Sequence, residues 1–216
     1  EAEKQRVIGI LRNSRNEGIF TPLSATKDQI SVPGELGGAN WGGAAADPDT
    51  GVLYVRSADQ PAYHTPLRPV TPSPATDAMT LQPRYTGRLG SMFFAENGLN
   101  AMGPPWAQIT AYDLNTGDIK WRAPFGVVPS LAAKGITDTG NNYRAHRNGP
   151  VVTAGGLIFI AHFADRTVRA YDKDNGKILW EKKQAPNFAG IPAVYEVNGR
   201  QFVAFYGSDF ETPPTN

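Results

Sequence analysis

The sequence predicts an all-β protein that forms a partial β-propeller of about two and a half four-stranded blades. Three observations support this prediction. An eleven-residue motif ending in Trp occurs twice without a gap. A separate apolar hairpin precedes each copy. The 23 Gly and 18 Pro divide the apolar runs into short segments, which is typical of strands and turns and not of long helices.

The two copies of the repeat lie at 111–121 (AYDLNTGDIKW) and 170–180 (AYDKDNGKILW), and they agree at the Ala, Tyr, Asp, Gly and Trp positions. In each copy an extended run leads into Asn-Thr-Gly or Asp-Asn-Gly, whose Gly supplies the positive φ of a tight hairpin turn. The second strand carries the Trp. This large apolar plate is expected to dock on a neighbouring blade.

Apolar hairpins are predicted at 43–55, 149–160 and 190–205, the last with an Asn198-Gly199 turn. Such a hairpin followed by a Trp repeat makes one four-stranded blade. The loop inside the first blade holds eight of the 18 prolines and shows little strand alternation. We therefore predict one propeller segment over 1–216, with an irregular lead-in at 1–42, a blade at 43–122 with a long loop at 58–105, a blade at 149–183, and the inner hairpin of the last blade at 190–206.

Composition excludes several classes of function. Lys and Arg number 21 against 20 Asp and Glu, so no net field attracts nucleic acid, and no nucleic-acid partner is expected. The absence of Cys rules out disulfides, thiolate catalysis and Cys-ligated metals. Residues 1–10 lack the apolar core of a signal peptide, and no run approaches the ~20 apolar residues of a membrane span. If the parent protein is exported, we expect this chain to be mature or internal.

Several motifs together resemble the PQQ-dependent (quinoprotein) dehydrogenases of the glucose dehydrogenase type. They are GIFTPLS at 18–24, PGELGGANWGGAAADP at 33–48, GPPW at 103–106, TAGG at 153–156 and YEVNGRQFV at 195–203. The resemblance covers nearly the whole chain, and the order of the motifs also agrees. It places the chain in the C-terminal part of that family's propeller.

The resemblance implies an eight-bladed propeller that holds pyrroloquinoline quinone (PQQ) and calcium near its axis. It implies a periplasmic enzyme that oxidises a small sugar or alcohol and passes electrons to a quinone or to cytochrome c. The family's catalytic Asp and its calcium ligands precede this segment, so no catalytic or metal-binding residue is assigned in this chain. The remaining blades would come from the same parent chain or from another polypeptide, and the isolated chain is expected to be inactive.

Asn40 is the first candidate for a cofactor contact, because Asn40-Trp41-Gly42 resembles the family segment whose Asn touches the quinone. Trp41 is the second candidate in the same segment. From the residues alone, an Asx turn beside a core Trp is the better explanation of the motif, and the family resemblance is what favours a cofactor contact.

Arg147, Asn148 and Asp209 are further candidates for cofactor binding, because they stand where relatives place residues that face the quinone. Where the family has a small residue or a Trp, this sequence has Arg147. Three roles are therefore open for Arg147: a cofactor contact, part of a lid, or a solvated charge in a loop. Asp209 follows Gly207-Ser208 where the glucose type reads Gly-Gly-His-Gly, and the missing His argues against glucose as the substrate.

Other polar residues are predicted to be structural. His64 and His162 are isolated, and a single His is more often structural than a ligand. Asp47, Asp49, Asp113 and Asp172 lie at hairpin turns, where Asp accepts hydrogen bonds from backbone N–H groups. A non-enzymatic propeller scaffold, like the outer-membrane assembly lipoproteins with similar Trp repeats, remains the alternative function.

Overall fold

The structure is a computed structural model that describes residues 1–18, 20–34, 36–70, 85–86 and 91–208. The chain divides into two compact units. The first comprises Glu1–Glu35 with Gln60–Met102, and the second comprises Leu36–Asp59 with Gly103–Asn216. Asp209, predicted to contact the cofactor, lies outside the described residues. No helix of the described part has the length and apolar character that a bilayer crossing requires.

The described residues form short strands and a few helical segments. In chain order these elements are α1 (Ala2–Asn13), β1 (Gln29–Ser31), β2 (Ala44–Asp47), β3 (Val52–Ala58), β4 (Ala62–His64), β5 (Arg68–Pro69), β6 (Tyr85–Thr86), β7 (Ser91–Met92), β8 (Ala107–Asp113), β9 (Ile119–Pro124), α2 (Pro129–Ala132), a 3₁₀ turn (Ala145–Arg147), β10 (Val151–Val152), β11 (Leu157–Ala161), β12 (Thr167–Asp172), β13 (Ile178–Lys183), β14 (Asn187–Phe188), β15 (Ala193–Val197), β16 (Arg200–Ala204) and β17 (Gly207–Ser208).

Two four-stranded antiparallel sheets form the body of the second unit. Their strand orders are β2-β3-β8-β9 and β10-β11-β12-β13. Each consists of an apolar hairpin followed by a Trp repeat, which is the arrangement predicted for a propeller blade. The shared core between them contains fully buried Tyr54, Ile109, Ile158, Ile160 and Tyr171. The predicted all-β class is therefore confirmed.

The two repeats fold in the same register. Ala111 pairs with Trp121 and Ala170 pairs with Trp180, and in both sheets the register shifts directly after the Ala. The hairpin turns also match, because the side chains of Asp113 and Asp172 accept backbone N–H groups two residues further on at 2.9 and 2.8 Å. The predicted turn-forming role of these Asp residues is confirmed.

Trp121 docks on the second blade, as the repeat predicted. Its indole Nε1 donates to the Lys173 carbonyl at 3.0 Å. The ring covers Gly176, where a Cβ would lie 2.6 Å from a ring carbon. The same turn is fixed by Lys173 Nζ, 2.5 Å from Asp47 Oδ2 of the first blade. Trp180, the equivalent residue of the second repeat, is 49% exposed.

A third group of strands follows the second blade. β15 and β16 form the predicted hairpin, with positive φ at Asn198 and Gly199. The residues of this hairpin are mostly exposed, whereas the short pair β14–β17 is anchored because Phe188 packs on Ala161 and Val168.

The first unit differs from the irregular lead-in predicted for 1–42. The structure has the helix α1 there, and β1 pairs with β4, which also pairs with β7. Val7 of α1, Ile30 of β1 and Phe93 form its small core. The sequence pattern that would predict this helix is weak, because Val7 is its one buried residue and its N-terminus has no side-chain cap.

The predicted loop at 58–105 likewise contains the short strands β4–β7. Of these strands β4 pairs with β1, which joins positions far apart in sequence, such as Ile30 and Tyr63. Strands of two or three residues are too short to show alternation, so the sequence could not indicate them.

Candidate functional site

Three loop segments converge in the second unit, each just before a strand that begins a sheet or hairpin. They are 40–43 before β2, 146–149 before β10, and 189–191 before β15. A Cβ on Gly42 would overlap the Asn148 carbonyl, and one on Gly149 would overlap the Gly42 carbonyl. Because only glycine allows this approach of two backbones, the sequence places Gly at both positions.

The third segment is bonded to the second. The Gly190 N–H donates to the Arg147 carbonyl at 2.6 Å, and the Gly149 N–H donates to the Gly190 carbonyl at 3.2 Å. Asn148 and Gly190 form a parallel bridge. The structure thus brings the predicted segment at 40–41 close to the predicted segment at 147–148, although about a hundred residues separate them.

Asn40 is half-buried, and its side chain makes two local hydrogen bonds that are not those of an Asx turn, in which the side-chain oxygen accepts the N–H two residues further on. Its Nδ2 donates to the Leu36 carbonyl at 2.7 Å, and its Oδ1 accepts the Trp41 N–H at 2.7 Å. A side-chain amide has two N–H groups and a carbonyl with two lone pairs. The described residues leave one donor and one lone pair unused, so these local bonds and a cofactor contact are compatible.

Trp41 is not a core residue, because 61% of its surface is exposed. The alternative interpretation, in which Trp41 packs in the core, is therefore wrong on this point. An exposed indole next to a polar amide offers a flat apolar surface on which a planar ligand can lie.

Asn148 supports the site from within the protein. It is 1% exposed, its Nδ2 donates to the Phe188 carbonyl at 3.0 Å, and its Oδ1 accepts the Phe163 N–H at 3.1 Å. The side chain therefore connects β14 to the segment after β11. Its predicted direct contact with the cofactor stays a prediction.

Arg56 was missed by the sequence reasoning. The alternation of β3 puts it on the buried face with Val52 and Tyr54, and it is fully buried. Its Nε donates to the Asn148 carbonyl at 2.9 Å and its Nη2 to the His146 carbonyl at 3.1 Å. Burial lowers the pKa of Arg56 to about 10, so it is charged at neutral pH. An Arg at an inward position of an alternating strand was the available signal.

Arg147 lies over the Phe163 ring, with its guanidinium carbon 5.4 Å from the ring centroid, and Arg144 lies over the same ring at 5.8 Å. His146 between them has a pKa lowered to about 4, first by burial and then by Arg147, Arg56 and Arg144. The site therefore carries concentrated positive charge around a neutral imidazole.

The two isolated histidines have structural contacts. His162 is fully buried, with Nε2 at 2.8 Å from the Asn141 carbonyl, and its Nδ1 accepts the Ala164 and Asp165 N–H groups. His64 Nε2 lies 3.0 Å from Ser31 Oγ in the first unit. Within the described ranges, no three His, Cys, Asp or Glu side chains are grouped as a metal site would require.

Repeated four-stranded antiparallel sheets, joined through a docked Trp, define this chain as part of a β-propeller. The chain belongs to the family of the β-propeller domain of PQQ-type glucose/ethanol/alcohol dehydrogenases, whose family model matches residues 1–203. The family resemblance is confirmed, and the scaffold alternative is set aside.

Relatives of established identity agree with this assignment. The chain is 33% identical over 203 residues to the quinoprotein glucose dehydrogenase of Escherichia coli K12, covering 88% of this chain and 25% of that protein. It is 30% identical to the glycerol dehydrogenase large subunit of Gluconobacter oxydans 621H, covering 89% of this chain and 29% of that protein. The chain thus spans about a quarter of the length of these relatives.

A solved structure shows the same fold. The quinohaemoprotein alcohol dehydrogenase ADHIIG of Pseudomonas putida HK5 superimposes with a TM-score of 0.56 at 24% identity, over 84% of this chain and 24% of that one. The partial propeller is therefore confirmed as the fold.

The site residues fit PQQ, a planar quinone with several carboxylates. Trp41 offers an exposed aromatic plate and Asn40 a free amide donor. Arg147 offers a cation, and Arg56 keeps a buried Nη1 that has no hydrogen-bond partner in the part of the chain described. Amide and guanidinium donors are the groups that recognise carboxylate and carbonyl oxygens.

Proposed function

We propose that this chain forms part of a PQQ-dependent dehydrogenase that oxidises a sugar or alcohol and passes electrons to a quinone or cytochrome c acceptor. The observation that carries the proposal is the meeting of the Asn40-Trp41 segment with the Arg147-bearing turn. Family membership supports it, and the same resemblance supports a periplasmic location. Residues 207–209 lack the His of the glucose-type pattern, so the proposal does not commit to glucose.

The chain's own residues would bind and orient the cofactor. Bound PQQ supplies the oxidising power for removing two electrons from the substrate. Asn40 would hold a cofactor oxygen through its remaining amide N–H, and the exposed indole of Trp41 would shield the cofactor from water. Arg147 would compensate negative charge on it. The carboxylate base and the calcium ligands belong to the remaining blades in this proposal.

The remaining blades are proposed to cover the outer strand of the second blade. Every residue of β13 is exposed, including Ile178, Leu179 and Trp180. In the outer strand of the first blade, the equivalent residue Trp121 docks on the turn of the next blade. A further blade from the same parent chain or from another polypeptide would provide an equivalent carbonyl for Trp180.

The experiment that tests the proposal is titration of PQQ into the quinone-free assembled protein. Asn40→Ala removes a hydrogen bond to a charged or polarised oxygen, which is worth ~1.5–3 kcal/mol, so affinity should fall roughly tenfold to a hundredfold. Asn97→Ala is the matched control, because Asn97 also accepts a local backbone N–H, at 3.1 Å from Leu99, but lies in the first unit. Equal affinity for the wild type and Asn40→Ala would contradict the proposal.

A further inference from the structure

His162 begins the turn that joins β11 to β12 (residues 162–166, the β11–β12 turn) and is fully buried. Its Nδ1 accepts the backbone N–H groups of Ala164 and Asp165, each at 3.2 Å, two and three residues further on. Asp, Asn, Ser and Thr are the residues that usually accept backbone N–H groups in a turn. Here an imidazole makes that contact and holds the turn.

The hydrogen-bond partners of His162 fix its protonation state. Nε2 lies 2.8 Å from the Asn141 carbonyl, which can only accept, so Nε2 carries the proton. Nδ1 faces two N–H donors, so it carries none. Both contacts exist together only in the neutral imidazole, because the charged ring has an N–H at each nitrogen. A proton on Nδ1 would point a third N–H at the two that it now accepts.

The packing around the ring gives a protonated His162 no other place to go. The Phe125 ring contacts it edge-on, with 4.7 Å between the ring centroids. On the side of Gly126 the fit is closer, since a Cβ there would lie 2.5 Å from a carbon of the imidazole. The imidazole therefore cannot swing out of the turn while the surrounding chain keeps its place.

The charges around His162 also favour the neutral ring. Burial is the main cause that lowers the pKa of His162 below its ordinary 6.5; Asp165 and the Asn141 carbonyl oppose the shift, and Arg169 and Arg56 add to it. The carboxylate of Asp165 lies 3.7 Å from Nδ1, but its Oδ2 already binds Arg169 at 2.8 Å. The folded turn therefore stabilises the neutral imidazole relative to the charged one.

Phe163 connects this turn to the candidate site. Its N–H donates to Asn148 Oδ1 at 3.1 Å, and its ring lies beneath the guanidinium of Arg147, whose central carbon is 5.4 Å from the ring centroid. The turn thus supports two residues of the segment 146–149. Release of the turn would withdraw both supports, because the backbone of Phe163 and its ring would move together.

We infer that His162 is a positioning residue of the candidate site, that it acts in its neutral form, and that its protonation releases the β11–β12 turn and with it Phe163. The inference rests on the proposed function for its consequence, which is weaker cofactor binding in acid. A group whose pKa is lower in the folded state contributes stability that is complete above its ordinary pKa and is lost as the pH falls. For His162 this loss begins below pH 6.5.

Amide hydrogen exchange of the assembled, quinone-free protein measures the release without any ligand. Corrected for the intrinsic exchange rate, the protection of the Ala164 and Asp165 amides should fall below pH 6.5 by up to about tenfold per pH unit, because one proton is taken up on opening. His162→Asn keeps an acceptor near the position of Nδ1 but cannot be protonated, so its protection should depend much less on pH. It also keeps His146, whose pKa of about 4 accounts for the dependence that remains.

Titration of PQQ into the same proteins, about one pH unit above and about one below 6.5, tests the connection to the site. On lowering the pH, the affinity of the wild type should fall by roughly threefold to tenfold more than that of His162→Asn. His162→Ala removes the acceptor and should bind PQQ more weakly than His162→Asn at both pH values. His64→Asn is the matched control, because His64 lies in the first unit against Ser31, and it should follow the wild type.

The outcomes separate this inference from the proposed function. Amides of the wild type whose protection does not change below pH 6.5, or changes in parallel with that of His162→Asn, would overturn the release of the turn. A constant ratio between the PQQ affinities of the wild type and His162→Asn would overturn the positioning role. In either case a loss of affinity with Asn40→Ala would leave the proposed function standing. The expected exchange profile together with an unaltered affinity of Asn40→Ala would contradict the proposed function alone.

Discussion

The indole N–H of Trp121 donates to the backbone carbonyl of Lys173 at 3.0 Å, so the last residue of the first repeat is anchored on the turn of the second. Gly176 lies under the ring, and the ammonium of Lys173 reaches back to Asp47. The first blade thus supplies the docking Trp, and the second blade supplies the turn that receives it. The blades are joined by side chains that the repeat itself encodes.

Trp121→Phe should lower the free energy of unfolding of the purified chain by about 1 kcal/mol, because it removes the indole hydrogen bond while keeping most of the apolar contact. Trp180→Phe is the control, since Trp180 is 49% exposed in this chain. Urea unfolding measures both. In the assembled protein, where a further blade is proposed to receive Trp180, both variants should be destabilised. Equal losses in the isolated chain would contradict the docking difference.

Gly42→Ala should disturb the meeting of 40–43 with 146–149, because its Cβ would overlap the Asn148 carbonyl and press on the Arg56 guanidinium. We expect a destabilisation of about 1–3 kcal/mol, the usual range for overpacking a tight contact, together with weaker PQQ binding. Gly38→Ala is the matched control, since nothing lies within 4 Å of the position that its Cβ would take. Thermal unfolding and PQQ titration should distinguish the two variants. If Gly42→Ala were as stable as Gly38→Ala, the close approach of Gly42 to the Asn148 carbonyl would be contradicted.

The ion pair between Lys173 and Asp47 should make the joint between the blades sensitive to acid. The ammonium of Lys173 and the Thr50 hydroxyl hold the pKa of Asp47 at about 2, below its ordinary 3.8. A lowered folded-state pKa contributes stability above pH 3.8 that is lost as the pH falls towards 2.

Lys173→Met should therefore be less stable than the wild type at neutral pH, and the difference should shrink between pH 3.8 and about 2. Lys177→Met, on the exposed side of the same turn, is the control and should follow the wild type. Unfolding temperatures recorded across this range test the expectation. A constant difference at every pH would show that Lys173 acts through packing and not through charge.

The purified chain supplied with PQQ, calcium and an artificial electron acceptor should oxidise neither sugars nor alcohols. The carboxylate base and the metal ligands are proposed to lie in the remaining blades. Dye reduction measures turnover, with the assembled protein as the positive control. Robust turnover by the chain alone would mean that the catalytic groups had been misplaced.

The sequence by itself determined the blade architecture. The repeats at 111–121 and 170–180 encode hairpins whose Asp and Gly residues set the turns and whose Trp docks, because these features depend on local geometry and on a period that the sequence displays. It also indicated Asn40 and Arg147 as residues of interest. It did not indicate α1 or the short strands of the first unit, since their signals are weak and their partners distant.

Only the tertiary structure decided how the site is assembled. It showed that Trp41 is exposed, that Asn148 is buried, and that Arg56 binds the two carbonyls beside Arg147 across about ninety residues of chain. The alternation of apolar and polar residues indicates which side of a strand a residue occupies. It does not indicate which loop of the next blade the residue contacts. Those contacts depend on the packing of one sheet against another, where two glycines allow the backbones to approach and a buried charge holds the turn in place.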